Sequence, residues 1–184
     1  MSAYAADHEP VVESPPITPD VFRAVFRDHA ARVVVVTAPG APGPVGLTAT
    51  SLASVSLDPP MVSFAVAAGA SAWPVMATSR RLGVHLLDHG QDWLATRFAT
   101  SGVDRFAEPV RWHPGVEGEP VLEGCAAYLG CRVVQHVPAG DHVLVLAQVE
   151  HADLSRSGRP LIYHDGGYAS VGAAGRATPI NRAR

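Results

Sequence analysis

The chain has 184 residues, enough for one domain with a substantial core and too few for two comfortable ones. Hydrophobic residues make up 47% of it and charged residues 17%, a balance typical of a globular protein and not of a disordered one. The net charge of −3 offers no basic field for nucleic acid or an anionic membrane, so we predict neither partner.

The cysteines and the N-terminal segment indicate the compartment. Cys125 and Cys131 lack the spacing of a zinc or thioredoxin-like motif, so we expect two buried thiols in a reducing cytoplasm. Residues 1–17 are polar and proline-rich and have no apolar core of a secretory signal. No apolar run approaches the roughly 18 residues that span a bilayer. We therefore expect a cytoplasmic protein with a flexible segment over residues 1–17.

The first predicted element is a helix. Thr18 supplies an N-cap hydroxyl, Pro19 suits the first helical position, and Asp20 places an acid in the first turn. Four apolar residues follow at helical spacing, and we expect this stripe to pack into the core. The stripe consists of Val21, Phe22, Val25 and Phe26.

Short strands dominate the rest of the chain. We predict them over residues 32–38, 45–50, 61–67, 82–87, 125–136, 142–151, 159–163 and 168–171. A short helix is predicted over 71–79, with Ser71 as its N-cap. Another is predicted over 91–99, with Leu94 and Phe98 facing inward.

This order of elements indicates a fold class. Several short strands without regular alternation of strand and helix favour a mainly β fold, an antiparallel barrel with peripheral helices. No G-x-G-x-x-G motif follows a strand, which argues against a Rossmann dinucleotide-binding fold.

Five hydroxyl side chains occupy the segment 46–66, which otherwise has the pattern of buried strands. They are Thr48, Thr50, Ser51, Ser54 and Ser56. A hydroxyl that faces a core without a partner costs about 1–3 kcal/mol, so each of them needs a hydrogen bond. Residues two apart on a strand share a face, so Thr48 pairs with Thr50 and Ser54 with Ser56. These faces either bond to neighbouring strands or line the site of a flat heteroaromatic ligand.

Two further features suit an anionic group. Gly69-Ala70-Ser71 precedes a predicted helix, whose free N–H groups would attract a phosphate, although an ordinary N-cap explains Ser71 equally well. Arg105 lies beside Phe106 in a loop and could supply a cation.

The histidines offer no simple catalytic or metal motif. His85 and His89 are four apart, but their segment has a strand pattern followed by a turn, so we expect no metal ion there. Asp141 and His142 are adjacent at a strand end, where neighbouring side chains point to opposite faces, so we do not expect an acid–imidazole pair. No G-x-S-x-G motif marks an acyl-transfer serine.

A series of short motifs follows a fixed order along the chain. They are GLTATS at 46–51, SVSLDPP at 54–60, SAWP at 71–74, QDWLATRF at 91–98, DRF at 104–106, GEPVLEGC at 118–125, GDH at 140–142 and PLIY at 160–163. Together they resemble the flavin reductase-like family, which has the FMN-binding split-barrel fold. The resemblance implies an antiparallel split-barrel domain over 18–172, followed by a flexible tail over 173–184.

The same resemblance implies an activity. It is that of a homodimeric NAD(P)H:flavin oxidoreductase that uses FMN or FAD with NADH or NADPH and often supplies reduced flavin to a separate oxygenase. It places His142 beside the nicotinamide, as the predicted catalytic residue. The residues implied to bind the flavin are Thr48, Ala49, Thr50, Ser51, Ser54, Val55, Ser56, Ser71, Ala72, Trp73, Arg105 and Phe106.

The chain departs from the family's pattern at three places. His85 stands where asparagine is usual, Ala147 stands where glycine is frequent, and 67–69 lacks an asparagine often present before the phosphate serine. Two alternatives stay open: a flavin-binding split-barrel protein or oxidase without NAD(P)H turnover, and a non-catalytic carrier of another small aromatic ligand. The residues do not choose between FMN and FAD, or between NADH and NADPH.

Overall fold

A computed structural model describes residues 16–154, 158–171 and 177–179. Its helices are α1 Pro19–Arg27, α2 Trp73–Met76 and α3 Asp92–Ala99. Its strands are β1 Ala31–Arg32, β2 Val34–Ala38, β3 Val45–Ala49, β4 Ala53–Leu57, β5 Pro60–Ala67, β6 Arg81–Leu86, β7 Trp112–Pro114, β8 Pro120–Leu122, β9 Ala127–Ala139, β10 His142–Asp153, β11 Leu161–His164, β12 Gly167–Val171 and β13 Ala177–Pro179. Residues 1–15 of the predicted N-terminal segment lie outside the described residues.

A seven-stranded antiparallel sheet forms the body, in the order β3-β2-β6-β9-β10-β5-β4. The predicted hairpin through the GDH turn is present as β9 and β10, and two register shifts along it bend the sheet. A four-stranded sheet, β1-β11-β12-β13, and the β7–β8 pair complete the described strands. The prediction of a mainly antiparallel β fold with peripheral helices is confirmed.

The valine run at 33–36 is buried on both faces of the sheet. Val34 and Val36 belong to one apolar cluster, with Phe64 and Leu82, whereas Val33 and Val35 belong to a second cluster. Successive strand residues point to opposite faces, so one run of β-branched residues serves both clusters. Helix α3 covers the second cluster with Leu94, Ala95 and Phe98, which confirms the predicted inward face.

The prediction that the stripe on α1 packs into the core is wrong. Thr18 caps the helix as expected, because its hydroxyl accepts a hydrogen bond from the Val21 N–H. The four apolar residues of the stripe are 53–70% exposed, and no residue of α1 is buried. Two polar contacts join the helix to the body: the Arg27 carbonyl accepts a bond from the Asp165 N–H, and the Arg27 guanidinium pairs with the Asp165 carboxylate. Periodicity identified the apolar face but not what lies against it.

Helix α2 is shorter than predicted, and Ser71 does not cap it. The helix covers only four residues, its N-cap position is Ala72, and no side chain caps it. Pro74 fits only the first turn of a helix, so the start is fixed near Trp73. The Ser79 hydroxyl bonds to both backbone groups of Arg81, which leads the chain directly into β6.

Two remaining features concern the chain as a whole. Three residues of the predicted C-terminal tail, 177–179, form β13, which pairs with β12. Across the part of the chain that the structure describes, no helix combines the length and the apolar character that crossing a membrane requires.

Candidate functional site

A cavity of about 420 Å³ opens between β3 and β5. Its walls come from residues 47–51 on one side and from residues 65–67 and 69–71 on the other. The end of α3 and the residues after it, at 98, 99 and 101, form a third wall. Arg105 and His142 complete the lining.

Strand β3 has an open edge beside the cavity. Among the described strands it pairs only with β2, so every second pair of its backbone N–H and C=O groups points away from the sheet. Gly46 is one of these residues, because its carbonyl accepts a bond from Arg105, and Thr48 follows at the next such position. On the other side, β4 pairs with β5 only as far as Ser63, and at Ala65 the Ser51 hydroxyl bonds to the backbone in place of a strand partner. The open backbone donors and acceptors beside the cavity therefore belong to β3.

A serine hydroxyl connects the segment after β3 to the backbone of β5. The Ser51 hydroxyl accepts a bond from the Ala65 N–H at 2.8 Å and donates to the Ala65 carbonyl at 3.3 Å. Ser51 lies in the short connection from β3 to β4, and its contact with Ala65 continues the β4–β5 register. Because β3 and β4 are the two ends of the strand order, this short connection requires the sheet to curl until its ends approach each other. The cavity lies where they meet.

The other hydroxyls of the segment divide between internal bonds and open positions. Thr48 donates to the Ala95 carbonyl of α3 at 2.6 Å, and Ser56 accepts a bond from the Asp58 N–H at 3.2 Å. Among the described residues, the hydroxyls of Thr50 and Ser54 have no hydrogen-bond partner. The Thr48 hydroxyl therefore has no hydrogen left to donate to a ligand, whereas the backbone N–H and C=O of Thr48 are open.

Arg105 places a fixed cation at the edge of the cavity. Its Nε and Nη2 donate to the Thr100 carbonyl at 3.1 and 2.9 Å, and its Nη1 donates to the Gly46 carbonyl at 2.7 Å. Burial lowers the pKa of this guanidinium from its very high ordinary value. Three of its five N–H donors are used in these bonds, so two are left for an anion. Ser71 lies beside it in the lining of this cavity and of a smaller one of about 170 Å³.

Asp141 and His142 form a hydrogen bond, and the prediction that they would not is wrong. His142 Nδ1 lies 2.7 Å from Asp141 Oδ1. Strand β10 begins at His142, and Asp141 lies in the turn before it, after Gly140 at φ +64°, so the alternation of strand side chains does not apply to Asp141. The hydrogen bond from His142, followed by the electrostatic effect of that residue, lowers the pKa of the Asp141 carboxyl. Among the described residues, His142 Nε2 has no partner.

Comparison with known proteins then identifies the family. Residues 26–172 match the family described as "Flavin reductase like domain". The chain belongs to this family.

Individual relatives agree with this assignment. The NADH:FMN oxidoreductase of Rhodococcus qingshengii is 42% identical over 165 residues, which cover 88% of this chain and 83% of the relative. The reductase subunit HsaB of a flavin-dependent monooxygenase from Mycobacterium tuberculosis (strain CDC 1551 / Oshkosh) is 33% identical over 84% of this chain and 83% of HsaB. The solved structure of the NADH:FAD oxidoreductase SgcE6 of Streptomyces globisporus C-1027, in complex with NAD and FAD fragments, has a TM-score of 0.77 at 32% identity, over 84% of this chain and 95% of that one. The predicted family and split-barrel fold are confirmed.

The structure brings together one part of the predicted site of this flavin reductase-like chain. Thr48 to Ser51, Ser71, Arg105 and His142 all line the main cavity. Ala72 is buried, and Ala72 and Phe106 line the smaller cavity beside Arg105. Trp73 is half-buried and packs edge-on against His136, away from the main lining.

Three predicted residues lie on a different strand. Ser54, Val55 and Ser56 belong to β4, the outer edge strand, and are not among the residues that line the cavity. A bulge between Ser54 and Ser56 interrupts the two-residue alternation on which their shared face was predicted. The two-residue period of a strand therefore predicted a shared face for Ser54 and Ser56 that the bulge removes.

Most of the wall opposite β3 was not predicted from the sequence. Ala65, Val66 and Ala67 line the cavity, and so do Phe98 and Ser101 at the end of α3. The run of small residues from Ala65 to Ala70 was a usable signal, because small side chains let a ligand approach the backbone. That this run faces β3 follows only from the curl of the sheet.

His85, the departure from the family's usual asparagine, has a structural role. It is completely buried, its Nδ1 donates to the Val35 carbonyl at 3.1 Å, and its Nε2 accepts a bond from the Leu122 N–H at 3.0 Å. Burial lowers its pKa to about 4, so the ring is neutral at physiological pH. His89 is separately bonded to Asp88 at 2.8 Å, and the described residues contain no cluster of three or more potential metal ligands.

The cavity fits the group that the family implies. A flavin has a flat ring with donors and acceptors along its edge, which matches the open backbone edge of β3 at Thr48. FMN and FAD also have a phosphate, which matches the two unused N–H donors of Arg105. The small residues at 65–70 leave room for a flat ring beside the backbone.

Proposed function

We propose that this protein is an NAD(P)H-dependent flavin reductase that uses FMN or FAD and supplies reduced flavin to a separate oxygenase. The observation that carries the proposal is the cavity between β3 and β5, with Arg105 and His142 in its lining, in a chain of the flavin reductase-like family. The NADH:FMN oxidoreductase and the monooxygenase reductase subunit among its relatives support the two halves of the proposal.

Each group at the cavity has a defined task in this function. A bound flavin would supply the redox chemistry, because it accepts two electrons from a reduced nicotinamide and passes them on. The backbone at Thr48 would hold the ring edge, and Arg105 with Ser71 would hold the phosphate. His142 would contact the nicotinamide through Nε2. The protein therefore binds and orients two cofactors, and no protein nucleophile is required.

The test is oxidation of NADH and of NADPH by the full chain, with riboflavin, FMN and FAD added in turn. We expect oxidation of a reduced nicotinamide that depends on added flavin, and rapid loss of flavin absorbance when the nicotinamide is mixed in. A flavin-binding protein without turnover would bind flavin and not bleach it. A carrier of another aromatic ligand would show neither oxidation nor competition by FMN. Either result would overturn the proposal.

We also propose that the protein is a homodimer in which the apolar stripe of α1 contacts the second copy. A nine-residue helix without buried residues is too short to be stable in water on its own. Its four exposed apolar side chains also lie together on one face, unlike the scattered apolar residues of an ordinary surface. A second copy that covers it would account for both facts, and it agrees with the homodimer that the family resemblance implies.

A cytoplasmic location is part of the same proposal. Cys125 and Cys131 are both buried and free, which is typical of a reducing compartment. Reduced nicotinamide and flavin cofactors are supplied there.

A further inference from the structure

We propose that Asp141 is a positioning residue that holds the imidazole of His142 in one orientation and one tautomer, with Nε2 available to the nicotinamide. This inference rests on the proposed function, since it names the residue through which His142 meets its ligand. Three observations lead to it: the contact between the two side chains, the way the backbone around them is fixed, and a second Asp–His pair elsewhere in the chain.

The contact itself leaves one ring nitrogen for a ligand. Asp141 Oδ1 lies 2.7 Å from His142 Nδ1, so Nδ1 carries the hydrogen and donates it to the carboxylate. In the neutral ring, Nε2 is then an acceptor. The carboxamide of a nicotinamide has an N–H group that can donate to such an acceptor.

The bond is not needed to hold the fold. The Asp141 side chain is 93% exposed and that of His142 is 45% exposed, and an exposed pair of this kind contributes little stability. The effect that remains is on the direction of the imidazole ring. That direction matters because His142 lines the cavity.

The backbone at this point is fixed without the carboxylate. His142 pairs with Ala67 of β5 and with Ala139 of β9. The Asp141 carbonyl accepts a bond from the Ala68 N–H at 2.9 Å. The two neighbours of Ala68 in the chain line the cavity. The strands therefore set the position of the His142 backbone, and only its side-chain torsions stay free. The carboxylate restricts these torsions.

A second Asp–His pair provides a natural comparison. Asp88 Oδ1 lies 2.8 Å from His89 Nδ1, in almost the same relation. His89 Nε2, however, lies 3.2 Å from Arg159 Nη2, so both of its ring nitrogens are in contact with protein groups. This pair does not line the main cavity. Only the pair at 141–142 leaves a ring nitrogen open at the proposed site.

Kinetics of the full-length protein test the inference. We expect Asp141→Ala to lower kcat/KM for the reduced nicotinamide by about tenfold and to leave the flavin Kd within about twofold. Asp141→Asn keeps an acceptor oxygen and should lose less. The control Asp88→Ala should leave kcat/KM near the wild-type value. An unchanged kcat/KM in Asp141→Ala, or an equal loss in Asp88→Ala, would overturn the inference.

A double-mutant cycle tests whether Asp141 acts through His142. If it does, Asp141→Ala should have no further effect in the His142→Ala background, because the ring that it orients is gone. A full additional loss in the double variant would mean that Asp141 acts independently, which contradicts the inference.

A readout that does not depend on activity separates this inference from the proposed function. In ¹⁵N NMR spectra of the histidine rings, wild-type His142 should carry its hydrogen on Nδ1, and Asp141→Ala should shift the signal toward a mixture of tautomers. Normal turnover without this signal would overturn the role of Asp141 and leave the proposed function standing. The signal without any flavin-dependent turnover would overturn the proposed function, and with it the role toward nicotinamide.

Discussion

His85 and His142 have the same side chain in opposite settings, and each setting assigns a role. His85 is completely buried, and both of its ring nitrogens are bonded to backbone groups. His142 is exposed at a cavity, and only Nδ1 is bonded. The first stabilises the packing of β8 against β2 and β6, whereas the second is available for chemistry. The residue type alone does not distinguish them.

The burial of His85 predicts a dependence of stability on pH. The unfolded ring has a pKa near its ordinary 6.5, whereas the folded ring has a pKa of about 4, so the unfolded chain binds more protons between these values. The contribution of His85 is therefore complete above pH 6.5 and is lost as the pH falls toward 4. Between pH 7 and pH 5 this group should cost about 1–2 kcal/mol of unfolding free energy.

Urea unfolding at pH 7 and pH 5 measures this effect. His85→Asn, the residue that the family usually has there, should show a smaller loss of stability between the two pH values than the wild type. The control is His113→Asn, because His113 is exposed. An identical pH dependence in His85→Asn and the wild type would contradict the assignment of a neutral, buried His85.

Ser51 predicts a change in ligand affinity. Its hydroxyl bonds to both backbone groups of Ala65 across the cavity, so Ser51→Ala should loosen the two walls and weaken flavin binding, at a cost to stability of about 1 kcal/mol. Ser79→Ala is a matched control, since that hydroxyl bonds to both backbone groups of Arg81 away from the cavity. Flavin titration should show a higher Kd for Ser51→Ala alone. Equal affinities for the two variants would mean that the Ser51 contact does not shape the site.

At the level of elements, the site depends on how α3 is held against β3. Thr48 bonds to the Ala95 carbonyl within the helix, and Arg105 connects Thr100, at the end of the helix, to Gly46. The sequence predicted both elements, but not these links between them. A loop arginine usually has no structural partner, and here it connects two elements and lines the cavity.

Replacement of Arg105 should discriminate between flavins. A lysine has no planar fork, so Arg105→Lys cannot keep the bonds to both Thr100 and Gly46 and also contact a phosphate. We expect the Kd of FMN to rise about tenfold while that of riboflavin, which has no phosphate, changes little. Arg97→Lys is the matched control, because Arg97 donates to the Asp104 carbonyl through Nε and Nη2 and does not line the cavity. Equal losses for FMN and riboflavin would exclude the phosphate contact.

At the level of the whole molecule, the exposed stripe of α1 predicts association. If a second copy covers Phe22 and Phe26, the melting temperature of the wild type should rise with protein concentration, since association stabilises the folded state by mass action. The double variant Phe22→Ser/Phe26→Ser should elute as a monomer from a sizing column and lose this dependence. Val116→Ser, which changes one isolated exposed residue, is the control. A dimer that persists in the double variant would place the interface elsewhere.

The correct and the incorrect predictions differ in whether the feature depends on a short stretch of chain or on distant parts of it. The start of α1, the inward face of α3 and the β9–β10 hairpin were predicted because they depend on caps, periodicity and turn residues within a short stretch of chain. The length of α2, the exposure of α1 and the bond between Asp141 and His142 were not predicted correctly. Each of these depends on where one segment stops or on what lies opposite it.

The sequence by itself determined the β class, the predicted strands and hairpins, the family and the segment 48–51, which lines the cavity. Only the tertiary structure decided that residues 65–67 and 69–70 form the facing wall, that Arg105 is fixed between α3 and β3, and that His142 is hydrogen-bonded to its neighbour. The reason is that alternation along a strand tells which side chains share a face, whereas the curl of the sheet decides which faces meet.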